Sequence, residues 1–354
     1  MIVSFYDKDF KGLQDNASLV VDNSSYSLIR RGVELDELKC TCEPFVESIQ
    51  PTFLVVKNDK GNYVYGCLAG IPELTSERKT VITGTDLKSM LKSDVVLDFS
   101  GMSHTTVDAM LSYVFAQWKS QVNQGSFNCE LVFKPYTPSP WSIPFDHLTH
   151  NGEKGVYNAW DDIFTPYLKY YGLHMTGALN LVENKVIFTI GQSMRRDLNV
   201  KLWEHGIYDY GKWVAGVNEC QGYVYRKDAD SYIGSTNRWI LRSDNVITTN
   251  AANRDIYPIK RRIVVVEAAD NAEQVEKMLE ADTEALSLLC ESLYNEDITL
   301  SGIDADFETN FKIWVRRGDE TEYKSLPCGE LHYDASGLKK VQIGYRFTGL
   351  QFLL

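Results

Sequence analysis

The sequence has no Cys-x-x-Cys pair and no apolar run near the ~18 residues that a spanning helix requires. It also opens without the basic and apolar regions of a secretory leader, beginning Met1-Ile2-Val3-Ser4-Phe5-Tyr6-Asp7. These absences point to a soluble chain made in the cytosol. Its seven cysteines, at 40, 42, 67, 129, 220, 290 and 328, are then expected as buried or half-buried reduced thiols. Positive charge is also scarce. Against 48 Asp and Glu stand 36 Lys and Arg, and the net charge of -12 argues against affinity for a phosphate backbone, which needs clustered cations to release counterions. Missing too are a Gly-x-Ser-x-Gly elbow, a glycine-rich phosphate loop ending in Lys-Ser or Lys-Thr, a Gly-x-Gly-x-x-Gly turn and a His-Glu-x-x-His pair.

What is present is a large apolar inventory. Hydrophobic residues make up 44% of 354 and charged residues 24%, with 20 Tyr, 15 Phe and 7 Trp, which excludes wholesale disorder and favours aromatic-packed, strand-rich domains, two to four in number. The stretch from Thr52 to Leu91 organises the reading. Phe53 to Lys57 and Tyr63 to Leu68 are β-rich and flank the turn residues Asn58-Asp59-Lys60-Gly61, so a hairpin is predicted, with a third strand at Thr80 to Thr83. Thr85 or Asp86 can then cap a short helix in which Leu87, Met90 and Leu91 share a face. Ile2 to Phe10, Ser25 to Arg31 and Glu37 to Glu43 add strands, and Cys40 and Cys42 fall on one side of the last of these. About six short strands before residue 100 suit a small barrel or a strongly curled sheet.

Helical spacing then takes over. Val107, Met110, Leu111, Val114, Phe115 and Trp118 recur at three and four behind Ser103 as N-cap, and a strand follows at Phe127 to Lys134. Pro135 to Pro144 holds four of the ten prolines and reads as an extended connector. A second helix is predicted from Asn158 to Tyr171, broken or kinked at Pro166 and stopped by Gly172, with Trp160, Ile163, Phe164, Tyr167, Leu168 and Tyr171 inward. Ala178 to Val182 and Lys185 to Ile190 form a hairpin about Glu183-Asn184. From Lys201 to Ile259 strands and long loops are expected, then a short buried-type strand at Arg262 to Glu267. Asp270 and Glu273 cap a long helix to about Tyr294, whose stripe is Val275, Met278, Leu279, Leu286, Leu289, Cys290 and Leu293, with Asp282 marking a wet interruption. The end returns to strands: Phe311, Ile313 and Val315 alternate with Lys312, Trp314 and Arg316, and Glu330 to Tyr333 joins Lys339 to Phe347 through Asp334-Ala335-Ser336-Gly337.

Residues that could carry chemistry are few, and each has a plain structural alternative. His147 and His150 lie three apart but lack a third ligand nearby, so surface histidines are favoured over a metal centre. Asp161 and Asp162 point about 100° apart on a helix and suit its positive end better than a carboxylate dyad. Trp203, Tyr208, Tyr210, Trp213, Tyr223 and Tyr225 could line a sugar platform, but a β core or a protein interface uses the same residues. Arg195-Arg196 and Lys260-Arg261-Arg262 read as solvated or paired charge, and the sequons at Asn16 and Asn23 carry no meaning without secretion. No catalytic, cofactor-binding or metal-binding residue is nominated, and a structural or assembly protein is the expectation.

The element order resembles one family: the tail hub, or baseplate hub, proteins of long-tailed phages, which also form the N-terminal part of tail-associated lysins. Three places carry the resemblance. Phe5-Tyr-Asp-Lys-Asp9, with Ser27-Leu-Ile-Arg30 and the run to Pro44, is similar to the opening barrel strands. Thr80 to Leu91 is similar to a strand followed by Gly-x-Asp-Leu-x-x-x-Leu. Tyr157 to Gly191, and Arg261 to Leu293, are similar to the inserted α/β segments. The resemblance implies an α+β, multidomain chain. Its parts would be an N-terminal β-barrel over 1–100, an α/β insertion over 101–200, strands of a second barrel over 201–260, a strand plus long helix over 261–302, and strands completing the second barrel over 303–354. It further implies a non-enzymatic homotrimer that adapts a six-fold tail tube or distal tail ring to a three-fold tip. The lumen would pass DNA and the tape measure protein, which suits an acidic wall. Any lysin or tail fibre module would sit on a separate chain, and the protein would reside at the virion's tail tip after synthesis in the bacterial cytoplasm, without membrane contact at rest. The alternative is a carbohydrate-binding or glycan-processing tail protein using the aromatics of 203–225.

Overall fold

The computed structural model describes residues 1–13, 19–43, 52–75, 79–99, 106–122, 129–135, 154–206, 217–226, 229–243, 246–256, 258–291, 298–317 and 320–345. In chain order it begins β1 (Ile2–Tyr6), β2 (Leu19–Val20), β3 (Ser27–Arg31), β4 (Glu37–Cys42), β5 (Phe53–Lys57), β6 (Tyr63–Ala69), β7 (Glu73–Leu74), β8 (Thr80–Thr85) and β9 (Asp94–Asp98). Next come α1 (Val107–Val122), β10 (Glu130–Lys134), β11 (Lys154–Asn158), α2 (Thr165–Tyr170), β12 (Leu173–Asn180), β13 (Lys185–Gln192) and β14 (Arg196–Lys201). The rest is β15 (Glu219–Arg226), β16 (Ser231–Leu241), β17 (Ile247–Thr248), β18 (Arg261–Ala268), α3 (Gln274–Glu291), β19 (Ile298–Ser301), β20 (Thr309–Arg317), β21 (Glu320–Asp334) and β22 (Gly337–Ile343). The architecture is α+β, strand-rich and built from several sheets.

Strands from the two ends of the chain form one 13-stranded sheet, because β3 pairs antiparallel with β21, Arg30 opposite Leu331 and Ile29 opposite His332. Each half of that sheet wraps its own core. Val3, Phe5, Leu28, Leu38, Cys40, Cys42, Leu54, Val56 and Ile82 fill the first. Val200, Leu300, Phe311, Ile313, Leu326, Val341 and Ile343 fill the second. The strict alternation of apolar residues along β4 and β20 directs one set inward, as period-two geometry requires. Cys40, Cys42, Cys67, Cys129, Cys220 and Cys328 are buried and unbridged.

The third and largest core lies under the helices. All six apolar residues expected on α1, from Val107 to Trp118, are buried there, along with Trp160, Ile163, Phe164, Tyr167 and Leu168. The 158–171 helix does not break at its proline but changes winding: a π-helical turn over Ala159–Phe164 runs directly into α2, Phe164 and Thr165 both keeping helical φ/ψ, with Pro166 in the first turn of the α segment. Gly172 follows at φ +61 and ends it. The Ser103 cap, the connector beyond Pro135 and the helix end at 292–294 fall outside the described residues.

Five expectations need correction. The strands of 219–248 do not join the C-terminal strands. Together with β18 they make a separate four-stranded sheet, β17-β16-β15-β18, since Cys220, Val264 and Val266 pack with Ala281 and Ala285 of α3 in the largest core, while β14 and β19 take the places beside the C-terminal strands. β18 is not buried throughout: Val264, Val266 and Ala268 face inward, whereas Ile263 and Val265 face out, because α3 covers only one side. The buried face of α3 is Ala281, Ala285, Leu286 and Leu289 rather than Val275 and Leu279, which are exposed. Asp282 is not a wet gap but accepts a hydrogen bond from the Trp239 indole N–H at 2.8 Å. The β12–β13 loop has four residues, not two, since Asn180 pairs with Lys185, and Asn184 takes the left-handed φ of +54 that Asn tolerates.

Gly222 fixes the approach of α3 to its sheet, because a Cβ there would lie 2.7 Å from the Ala281 backbone. Gly222→Ala must push the helix off the sheet and is expected to cost about 1–3 kcal/mol in urea unfolding, the usual penalty for overpacking.

Candidate functional site

The turn between β3 and β4 gathers the buried charge of the molecule. Lys88, in the short 3-10 helix Leu87–Leu91, is fully buried and sends its ammonium into that turn. Its Nζ donates to the Arg31 carbonyl at 2.5 Å and the Glu34 carbonyl at 2.6 Å. It also lies 3.1 Å from Asp86 Oδ2 and 3.3 Å from Asp36 Oδ1, and 5.7 Å over the Trp160 ring. Asp86 is the N-cap foreseen for this helix. Its Oδ1 accepts from the Lys88 N–H at 2.9 Å and its Oδ2 from the Asp36 N–H at 2.8 Å. Asp36 in turn accepts from the Arg31 N–H at 2.7 Å and from the Tyr65 hydroxyl at 3.2 Å.

From the same turn Arg31 reaches across the β3–β21 junction. Its Nε donates to Glu330 at 2.8 Å, and its Nη1 donates to Glu37 and to the Leu35 carbonyl, each at 2.8 Å. Burial, reinforced by the Asp86 carboxylate and only partly offset by Lys88, pushes the Asp36 carboxyl up to about 6. His174, buried behind Gly32 with its Nδ1 3.3 Å from the Ser193 hydroxyl, is driven the other way, to about 4, by burial and by the nearby Lys88 ammonium. A cleft beside the cluster, lined by Arg31, Glu34, Glu330 and Tyr345, is about the size of one water molecule. The arrangement can hold strands together; it has no room to bind a substrate.

Sequence reasoning named Asp86 only as a cap and passed over Asp36, Lys88, Arg31 and Glu330. Lys88 left one signal: it stands three residues before Leu91, so helical spacing puts it on the apolar face. The residues that were considered are placed as follows. His147 and His150 lie outside the described residues, as do Tyr208, Tyr210, Trp213 and the sequon at Asn16. Among the described residues no group of three His, Cys, Asp or Glu side chains could hold a metal ion. Asp162 accepts from the Asn158 N–H at 2.7 Å while Asn158 accepts from the Asp161 N–H at 3.0 Å, a reciprocal cap, and Asp161 pairs with Lys92. Tyr223 and Tyr225 each meet Tyr232 edge-on, at 5.6 and 5.7 Å, so these rings pack on one another rather than lying flat as a platform. Arg195 and Arg196 pair with Glu308, Arg196 also with Asp306, and Arg261 pairs with the buried Glu219.

Lys88→Met leaves two carboxylates buried without their ammonium, and a loss of about 3–5 kcal/mol is expected at pH 8. The sign of the pH effect follows from the raised Asp36 value. Its folded pKa of about 6 exceeds the unfolded value of about 3.9, so folding takes up a proton in that window and stability from this group falls as pH rises through it. The Lys88→Met penalty is therefore expected to shrink between pH 8 and pH 5, read by urea unfolding at both. His174 has the opposite sign: stability from it falls as pH drops from about 6.5 to about 4. His174→Phe should remove that slope while leaving the Asp36 slope in place.

No protein-family model matches the sequence, and no curated protein matches it. Among solved structures, the chain is similar to prophage tail protein gp18 from Listeria monocytogenes EGD-e, at 9% identity and a TM-score of 0.49, covering 99% of this chain and 96% of that one. It is similar to the prophage MuSo2 43 kDa tail protein from Shewanella oneidensis, at 13% identity and 0.47, covering 98% of each. A chain of the phage P2 baseplate in its activated conformation matches at 11% identity and 0.46, over 99% of this chain and 100% of that one. Over nearly its whole length the chain is similar to these phage tail and baseplate proteins.

Proposed function

We propose that this chain is the hub subunit of a phage tail tip, a structural protein that works as a homotrimer. The observation that carries the reading is the sheet joined at β3–β21, whose two halves each enclose a separate apolar core. In this reading each half of the open sheet serves as one small barrel-like unit, so a single chain would present two such units. Three copies would then present six, which is the geometry needed to meet a six-fold tube or distal tail ring while leaving a three-fold tip. The two units come from opposite ends of the sequence, 2–85 and 298–343 with β14, and the α/β segments between them would flank the ring.

In this reading the ring's lumen passes DNA and the tape measure protein, and the net charge of -12 suits a wall that must not hold nucleic acid. The protein acts through docking and self-association. Size-exclusion chromatography with light scattering tests it: three times the chain mass is expected, whereas a persistent monomer overturns the reading and a stable hexamer would point to a ring protein instead.

A further inference from the structure

The layer formed by β15–β18 and α3 has two outward surfaces with opposite chemistry. Gly222 and Gly234 lie under α3, against Ala281 and Met278, so Glu219, Gln221, Tyr223 and Tyr225 point away from the helix. Their partners in register extend that outer face: Arg261, Ile263, Val265 and, at the far end from the arginines, Glu267 on β18, and Arg238 and Tyr232 on β16. Ile263 is 50%, Val265 51% and Tyr232 63% exposed, an apolar patch on a sheet surface. At its end Arg238, Arg254 and Arg261 all converge on the single buried carboxylate of Glu219, which leaves positive charge in excess.

The free side of α3 is the complement. Val275 and Leu279, four residues apart, are 71% and 48% exposed. Glu276, Glu280 and Glu284 run beside them at the same spacing, with Lys277 on Glu280 at 2.7 Å. Apolar with basic on one side of the layer thus stands against apolar with acidic on the other.

We propose that these surfaces are the two halves of a head-to-tail contact, in which α3 of one copy seats on the outer sheet face of the next copy. A two-fold contact would require one self-complementary patch. Complementary patches on opposite sides of one layer instead suit a heterologous contact, which closes into a ring of three when each copy is rotated by a third of a turn. Charge supports a second copy as the occupant: chains of net charge -12 repel one another, and the arginine cluster offers a local positive site for the acidic helix. The inference rests on the trimeric reading above and names the surface that reading would use.

Light scattering over a dilution series tests it. Ile263→Lys alone and Leu279→Glu alone are each expected to raise the dissociation concentration roughly 100-fold, since each buries a lone charge in the contact. The chain carrying both is expected to recover roughly tenfold or more, because the new ammonium meets the new carboxylate across copies. Near-UV circular dichroism checks the fold of each. If either apolar variant loses its native spectrum, Arg238→Glu and Glu280→Arg, at solvent-accessible side chains, enter the same cycle. A trimer unchanged in every variant, or a double variant no better than the singles, overturns this inference and leaves the trimeric reading standing. A native chain that stays monomeric across the series overturns both.

Discussion

The fully buried ammonium of Lys88 is the interaction on which the rest of the structure depends. It ties the turn of residues 31–36 to the Asp86-capped helix through two carbonyls and two carboxylates, and that turn reaches β12, the helical core and β21. The Gly32 carbonyl accepts from the Met175 N–H of β12 at 2.8 Å, Val33 packs in the helical core, and Arg31 bonds Glu330, 299 residues away in sequence. Gly32 is required by space: a Cβ would sit 3.0 Å from that of His174. Remove the ammonium and the turn loses its shape, the arginine its aim, and the two halves of the large sheet their cross-link.

A buried ion cluster of this kind is a poor way to gain stability, because taking charges out of water costs as much as their attraction returns. Its value lies in specificity. Apolar packing across β3 and β21 would tolerate a slip in register, whereas Arg31 fits Glu330 in one alignment. The opposed titrations of Asp36 and His174 fit the same role. One group gains a proton on folding near pH 5 and the other sheds it, so the junction's net response to mild acid is small.

Much of the fold was legible in sequence because its signals are local. The β5–β6 hairpin, the Asp86 cap, the stripe of α1, the stop at Gly172 and the alternation of β20 each depend on neighbours within a few residues. The errors arose where partners are distant. Strands at 219–248 look no different whether they pair with β18 or with the C-terminal strands, and only the packing of Gly222 on Ala281 decides it. Asp282 reads as a flaw in a helix until Trp239, 43 residues earlier, supplies its donor. The charge cluster was hidden for the same reason: Asp36, Asp86 and Lys88 are common surface residues, and their burial follows from long-range pairing of β4 with β8.

The exposed valine and leucine of α3 carry this argument to the assembly. Their helical spacing predicts an inward stripe, and the period is real, since Val275 and Leu279 do share a side with glutamates next to them. Among the described residues both side chains remain exposed. An apolar stripe that folding leaves open, on a helix already packed along Ala281 and Ala285, is best explained by burial between molecules rather than within one. The misread stripe and the proposed interface are therefore one observation, with the apolar pattern written for a neighbouring copy.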